Sequence, residues 1–107
     1  MLLKIYYLIS TLLIPFYSIY INRRIKLKKE DQGRYNERFG KPSAERKSGD
    51  LIWIHAASVG ECLSALPVIN EIEKIASVNQ ILLTSGTTSS ALILKDKLSS
   101  KTIHQYL

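Results

Sequence analysis

The segment LIWIHAASVGE, residues 51–61, carries the strongest structural signal in this 107-residue sequence. Its first half is a continuous apolar run that extends through His55 to Ala57, a pattern typical of a β-strand covered on both faces. The polar turn SVGE follows, and the apolar residues after it recur at helical spacing. Pro67 is tolerated in such a helix only as a kink or if the helix starts late. The segment therefore predicts a buried strand, a tight turn and a helix in succession.

The same order is repeated further along the chain. A second apolar strand is predicted at 81–84, ILLT, and it ends in the loop SGTT at 85–88. A second helix is predicted from Ser89 to about Leu98, and a third strand begins at 102–107. This alternation predicts an α/β fold over 51–107, with a partial Rossmann-like parallel sheet. Because three strands leave an apolar sheet edge exposed, we expect this region to be the front part of a larger domain.

An uncharged apolar run lies near the start of the chain. Residues 5–21, IYYLISTLLIPFYSIYI, would span about 25 Å as a helix, which is near the lower limit for crossing a bilayer. The next eight residues, NRRIKLKK, include five Lys or Arg. By the positive-inside rule, this basic collar keeps the following chain on the cytoplasmic side of a membrane. We therefore predict a membrane anchor over 1–21 and a basic collar and linker over 22–50, with one helical turn around Arg34 to Arg38.

Two other interpretations of the apolar run are open from the sequence. A cleaved signal peptide would carry its charges mainly before the run and a small-residue cleavage site after it, and the sequence has neither. A core helix of a soluble protein is the second interpretation, and the basic collar disfavours it. The 17 residues leave open whether the segment crosses the bilayer or lies in its inner leaflet.

Charge and cysteine content exclude several classes of function. The net charge is +6, but residues 1–50 hold 11 Lys or Arg against 5 Asp or Glu, whereas residues 51–107 hold 4 against 4. Because the excess is not spread over the folded half, no nucleic-acid partner is predicted. Cys62 is the single cysteine and is interpreted as a packing residue, while His55 and His104 have no ligand-like spacing. No metal or cofactor is predicted.

The loops that follow the strands are the candidate site, because parallel sheets bind ligands at the carboxyl ends of their strands. Glu61 is the only acidic side chain in these loops. On the residues alone a structural role is favoured for it: Ser58-x-x-Glu61 is a capping box, in which the glutamate reaches back to the serine's own amide. His55 is interpreted as a core histidine rather than a base. Neither Ser58 nor Ser85 lies in a G-x-S-x-G turn, and SGTT lacks the lysine of a phosphate-binding P-loop.

A resemblance to a known family is carried by the apolar amino terminus and four segments. These segments are GRYNERFG, LIWIHAASVGE, ILLTSGTTSSA and HQYL. In this order and spacing they resemble the start of the 3-deoxy-D-manno-octulosonic acid (Kdo) transferases of lipopolysaccharide synthesis, with IWIHAASVGE as the most specific part. The resemblance implies a two-lobed glycosyltransferase B fold, of which this chain would form about the first half of the acceptor-side lobe.

The resemblance also implies a reaction. It is an inverting, metal-independent transfer of Kdo from CMP-Kdo to a hydroxyl of a lipid A precursor, at the cytoplasmic face of the bacterial inner membrane. The glutamate of the family's S-x-G-E motif takes the acceptor's proton, and Glu61 occupies that place. Further residues are expected on the acceptor side: Ser58, Gly60, Thr84, Ser85, Gly86, Thr87, Arg34 and Arg38. Of these, the two arginines are expected to meet lipid phosphates.

Two expectations concern the chain as a whole. Cys62 and residues 88–90 depart from the family pattern, but none of them replaces a residue that takes part in the reaction. The donor-binding lobe would lie beyond Leu107. The chain alone is therefore expected to bind CMP-Kdo weakly and to be inactive. The alternative prediction is a non-catalytic, membrane-tethered interaction module whose open sheet edge recruits a partner strand.

Overall fold

A computed structural model describes all 107 residues of the chain, from Met1 to Leu107. The chain forms two compact units, Met1–Gln32 and Gly33–Leu107. The first unit contains the apolar amino terminus, and the second contains all three strands.

The first unit is built on one long helix, α1, which spans Leu2–Lys26. At about 1.5 Å per residue this helix is about 37 Å long, which exceeds the hydrocarbon core of a bilayer. Its length and composition are those of a membrane-crossing helix, and none of its most apolar 18-residue window is buried. The helix continues through Pro15 and into the basic collar, so Arg23, Arg24 and Lys26 lie in its last turn. The predicted apolar helix is present and is longer than residues 1–21.

The second unit contains a parallel three-stranded sheet with the order β1-β2-β3. The strands are β1 (Asp50–His55), β2 (Val78–Ser85) and β3 (Thr102–Tyr106). Ile52 lies opposite Ile81, and Leu83 lies opposite His104. The predicted α/β class and parallel sheet are confirmed, and β2 is the central strand.

Two helices follow β1 and β2 and pack against the sheet. They are α2 (Val59–Glu73) and α3 (Thr88–Leu94). Cys62 and Ile69, seven positions apart, are the buried residues of α2, as expected for one face of an amphipathic helix. The core consists of these residues and their buried apolar neighbours: Ala56, Cys62, Ile69, Val78, Ile81, Leu83 and Leu94.

The linker before β1 is ordered by the sheet. A 3-10 helix spans Tyr35–Phe39, as the predicted helical turn requires, and it ends at Gly40, whose φ of 73° is in the left-handed region. Further along the linker, Lys47 N donates to Gln80 Oε1 (3.0 Å), and Gln80 Nε2 donates to Glu45 O (3.1 Å). These two bonds attach the linker to β2.

Two details of the sequence prediction are wrong, and one open alternative is decided. β1 is not covered on both faces, because only the face of Ile52 and Ile54 packs on the core, and Trp53 on the other face is 59% exposed. Of the two alternatives for Pro67, a late helix start is excluded, because α2 begins at Val59 and contains Pro67. The second helix ends at Leu94 and does not extend to Leu98, because the chain must turn there to enter β3.

Candidate active site

The ends of the three parallel strands lie side by side at one edge of the sheet, which we call the carboxyl edge. Main-chain hydrogen bonds join them: Ala56 N to Thr84 O (2.9 Å), Gly86 N to Ala57 O (3.3 Å) and Leu107 N to Ser85 O (3.0 Å). The structure therefore brings the predicted site residues of 58–61 and 84–87 together.

Glu61 lies in the first turn of α2 and is fixed by the preceding loop. Its amide donates to Ser58 Oγ (3.3 Å), so Ser58 is the N-cap of the helix. Its Oε2 accepts from the amide of Ala57 (2.8 Å). The predicted capping box is present, but the carboxylate binds the amide of Ala57 and not that of Ser58. Glu61 is exposed, and this bond uses one carboxylate oxygen, so the group is held in place while its other oxygen can meet a ligand.

Two glycines determine the space around this carboxylate. A Cβ atom on Gly60 would meet no atom within 4 Å, so there is open space beside the first turn of α2. A Cβ atom on Gly86 would lie 3.3 Å from Ala57 O, closer than most real contacts. Gly86 therefore allows the loops after β1 and β2 to touch, and Gly60 leaves room next to Glu61.

The hydroxyl of Thr84, near the end of β2, is buried and hydrogen-bonded within the protein. Its Oγ1 accepts from Trp53 Nε1 (3.0 Å) and lies 2.8 Å from His55 Nδ1. His55 is thus in hydrogen-bond contact with Thr84, but it is exposed and is not the core histidine that the sequence predicts, since it lies on the same face of β1 as the exposed Trp53. Thr87 is the exposed N-cap of α3 and accepts from Ser90 N (3.2 Å).

Ser85 and His104 are in hydrogen-bond contact, but the direction of this bond differs from that of the serine–histidine bond in a serine hydrolase. Ser85 Oγ lies 2.7 Å from His104 Nε2, and His104 Nδ1 lies 3.3 Å from Arg34 Nη2. Because a guanidinium has only donors, its closeness favours the tautomer with an unprotonated Nδ1 and the hydrogen on Nε2. In this tautomer His104 donates to Ser85 and does not remove its proton. Burial, together with the charge of Arg34, lowers the pKa of His104 to about 4, so the imidazole is neutral at pH 7.

Glu37 is a buried carboxylate that holds the 3-10 helix against β3. Arg34 donates to it through Nε and Nη2 (3.0 Å each), and Tyr106 N donates to its Oε2 (2.8 Å). Arg34 also donates to His104 O (2.6 Å). Burial by itself would raise the pKa of Glu37, but the hydrogen bonds from Arg34, Ser43 and the Tyr106 amide outweigh it, and the pKa is lowered. The charge of Arg34 is thus balanced within the protein.

Arg38 reaches the carboxyl edge directly. Its Nη2 donates to Gly86 O (2.7 Å), and its Nη1 donates to Leu107 O (2.9 Å). The guanidinium also lies over the ring of Tyr106, 5.3 Å from the centroid. Both predicted arginines therefore lie near the carboxyl edge, Arg34 on a carboxylate and Arg38 on main-chain oxygens.

Cys62 follows Glu61 but belongs to the core. Its side chain has no exposed surface, and its Sγ donates to Ala56 O (3.5 Å). Burial raises the pKa of this thiol, which agrees with its interpretation as a packing residue.

Sequence reasoning missed Glu37, His104 and Tyr106. Glu37 had a usable signal, because it follows Arg34 by three positions in a predicted helical turn, where ion pairs form. His104 and Tyr106 form hydrogen bonds with residues that are 19, 69 and 70 positions away in sequence. No local pattern could reveal them.

Comparison with known proteins assigns the second unit to a family. Residues 33–107 match the family described as 3-deoxy-D-manno-octulosonic-acid transferase (kdotransferase). The chain belongs to the Kdo transferase family. The match begins at Gly33, the first residue of the second unit, so the matched region covers the 3-10 helix and the whole sheet. The resemblance found in the sequence is confirmed.

Individual Kdo transferases align with most of the chain. The 3-deoxy-D-manno-octulosonic acid transferase of Rickettsia bellii is 42% identical over 106 residues, which are 99% of this chain and 25% of the relative. The probable mitochondrial 3-deoxy-D-manno-octulosonic acid transferase of Arabidopsis thaliana is 39% identical, over 86% of this chain and 21% of the relative. The Rickettsia prowazekii transferase is 33% identical, over 99% of this chain and 32% of the relative. The chain thus spans between a fifth and a third of the length of these relatives. No solved structure matches it significantly.

Proposed function

We propose that this chain is the acceptor-side part of a glycosyltransferase that transfers Kdo from CMP-Kdo to a lipid A precursor in lipopolysaccharide synthesis. The observation that carries the proposal is Glu61, an exposed carboxylate fixed by a backbone hydrogen bond at the carboxyl edge of a parallel sheet. Membership of the Kdo transferase family supports it. In this proposal the sheet is the front part of the N-terminal lobe of a glycosyltransferase B fold.

The proposed reaction is a displacement at the anomeric carbon of Kdo. A hydroxyl oxygen of the lipid acceptor forms the new bond to this carbon, while the bond to the phosphate oxygen of CMP breaks and CMP leaves with the electron pair. Attack from the face opposite CMP inverts the configuration. The carboxylate of Glu61 accepts the proton of the hydroxyl as the new bond forms. The step is proposed to be metal-independent, as the family resemblance implies.

The neighbours of the base have supporting roles in this proposal. Ser58 orders the turn, and the open space at Gly60 admits the acceptor. The loop 84–87 lies on the acceptor side, where its internally bonded hydroxyls keep its shape. Arg38 contributes positive charge toward the phosphates of the acceptor, and Arg34, whose own charge is balanced by Glu37, orders the 3-10 helix that carries Arg38.

Membrane attachment through α1 is the second part of the proposal, since the proposed acceptor is a lipid. Four of the five collar cations are exposed: Arg23, Lys26, Lys28 and Lys29. The fifth, Arg24, pairs with Glu30 (2.7 Å). Exposed cations next to an apolar helix are attracted to anionic headgroups by about 1 kcal/mol each. We propose that the collar lies at the cytoplasmic face of the bacterial inner membrane.

The activity is tested by replacing the aligned segment of the Rickettsia bellii transferase with this chain. We expect the chimera to transfer Kdo from CMP-Kdo to a lipid A precursor. Glu61→Gln is expected to lower kcat by about 10²- to 10⁴-fold, the usual contribution of a general base. The matched control is Glu71→Gln, because Glu71 is exposed on the same helix and pairs with Lys74 (2.6 Å). Near-normal kcat in a folded Glu61→Gln chimera would contradict the base assignment, and a folded but inactive chimera would favour the non-catalytic interaction module.

Membrane attachment is tested by cosedimentation of the full chain with vesicles of phosphatidylethanolamine and phosphatidylglycerol. Replacing Lys26 and Lys29 by Gln is expected to weaken binding by about 30-fold, at about 1 kcal/mol per charge. The control replaces Lys95 and Lys97, which are exposed in the second unit, and removes the same net charge. Equal losses in the two double variants would contradict a specific role of the collar.

A further inference from the structure

Arg38 is connected to the candidate base by a continuous series of hydrogen bonds. Its Nη2 donates to Gly86 O (2.7 Å), on the loop after β2. Gly86 N donates to Ala57 O (3.3 Å), on the loop after β1. Ala57 N donates to Oε2 of Glu61 (2.8 Å). Three bonds thus join a guanidinium on the 3-10 helix to the carboxylate on α2.

The links in this series leave little freedom of movement. Because Gly86 has no side chain, the two loops touch through their main chains, and a shift of one loop must displace the other. Arg38 is held on its own side by Nη1, which donates to Leu107 O (2.9 Å), and by the ring of Tyr106 beneath its guanidinium. The guanidinium therefore bridges the ends of β2 and β3. Its planar arrangement of N–H donors allows this geometry, which a lysine ammonium cannot reproduce.

We propose that Arg38 is a positioning residue, which holds the Gly86 loop against Ala57 and thereby fixes the Glu61 carboxylate for the acceptor hydroxyl. This inference rests on the proposed function and adds a residue that acts through two others without touching the reacting atoms. A displacement of about 1 Å at a catalytic group lowers the rate on the order of 10²-fold. Loss of the Arg38 bonds therefore lowers kcat more than it changes the binding of the acceptor.

The kinetic test compares Arg38→Lys with Arg46→Lys in the Rickettsia bellii chimera. Arg46 also donates to two main-chain oxygens, those of Lys47 (3.0 Å) and Gly49 (3.2 Å), but in the segment before β1. Lysine keeps the charge and cannot bridge two oxygens in the same geometry. We expect Arg38→Lys to lower kcat by about 10-fold or more with the KM for the lipid acceptor within about twofold, and Arg46→Lys to change neither. Wild-type kcat in Arg38→Lys would overturn the proposal, because positive charge would then be sufficient.

Amide hydrogen exchange gives a readout that is independent of catalysis. In the full chain, Arg38→Lys is expected to speed exchange at Gly86 and Ala57 relative to Leu83 in the middle of β2, and Arg46→Lys is not. Unchanged exchange at Gly86 and Ala57 would overturn the proposal even if kcat falls. The proposed function fails differently, through an inactive chimera or normal kcat in Glu61→Gln. Exchange at Ala57 would then still decide whether Arg38 holds the loops.

Discussion

The two loops at the carboxyl edge share one capping pattern and lie in different surroundings. Ser58 Oγ accepts from Glu61 N (3.3 Å) in the first, and Thr87 Oγ1 accepts from Ser90 N (3.2 Å) in the second. After the edge strand β1, the residue three positions after the cap is the exposed Glu61. After the central strand β2, it is Ser90, which has no exposed surface and whose hydroxyl lies 2.6 Å from that of Thr87.

This difference follows from the position of each strand in the sheet. A loop on the central strand has neighbours on both sides, so its polar groups must find partners within the protein. A loop on the edge strand keeps one side open, so an ionisable side chain can be fixed by one bond and still meet a ligand. The comparison predicts that changes in the loop after β2 reduce stability, whereas changes in the loop after β1 reduce activity.

Ser85→Ala should have the largest effect on stability. The substitution removes a hydroxyl that has no exposed surface and leaves the partly buried His104 Nε2 without its partner, at a cost of about 2 kcal/mol. Urea unfolding of the full chain in detergent measures the change. Ser64→Ala is the control, because the Ser64 hydroxyl is exposed and bonds to Gly60 O within its own helix. Equal losses in the two variants would contradict the structural role of the loop after β2.

The two N-caps provide a direct test of the difference in surroundings. Ser58→Ala removes a cap and should lower the free energy of unfolding by about 1 kcal/mol. Thr87→Ala removes a cap and also a partner of the buried Ser90 hydroxyl, so a loss of about 1.5 kcal/mol is expected. The same unfolding experiment compares them. A larger loss in Ser58→Ala would reverse the comparison.

The pH dependence of stability should show a smaller effect, which comes from His104, the partner of Ser85. Folding lowers the pKa of His104 from 6.5 to about 4, so the unfolded chain binds this proton more readily between these pH values. The stability that neutral His104 contributes is present above pH 6.5 and is lost as the pH falls toward about 4. The nearby Glu37 acts at lower pH, because its pKa is lowered from 4.5.

His104→Gln isolates this contribution, since glutamine retains a donor toward Ser85. Melting temperatures across the window from pH 6.5 to about 4 should fall less in this variant than in the unmodified chain. The slope is modest because part of the imidazole is exposed. Identical slopes of melting temperature against pH in the two proteins would contradict a lowered pKa of His104 in the folded chain.

Glu61→Gln should have the smallest effect on stability, within about 0.5 kcal/mol, because the amide oxygen still accepts from Ala57 N. The same substitution is expected to have the largest effect on kcat. Thermal unfolding of the variant beside its kinetics checks both. A stability loss above about 1.5 kcal/mol with normal kcat would make Glu61 a structural residue like those after β2.

Elements that depend on local periodicity could be predicted from the sequence. The second and third strands, the 3-10 turn around Arg34 and the capping box of Ser58 and Glu61 all follow from residues close together in the chain. The edge position of β1 could not be predicted, because an apolar strand has the same pattern wherever it lies in a sheet. Nor does this pattern show that Trp53 lies on an uncovered face, opposite to the core-facing Ile52 and Ile54.

The site was predictable in outline and not in its connections. The sequence places Glu61 and the loop 84–87 at strand ends, and topology then makes them neighbours. The partners of Arg34 and Arg38 are 48 to 70 positions away, apart from Glu37, so charge alone suggested an anion where the structure has carbonyl oxygens and a carboxylate. Whether these arginines also meet lipid phosphates stays a prediction.

The burial of Cys62 gives this protein a natural chemical reporter. The sulfur has no exposed surface and belongs to the core between α2 and the sheet, so an alkylating reagent reaches it only after the helix separates from β2. The labelling rate therefore measures how often the core opens, and no probe has to be introduced. Since this sulfur belongs to the residue that follows Glu61, the same reaction can show whether a change at the carboxyl edge has loosened the helix that carries it.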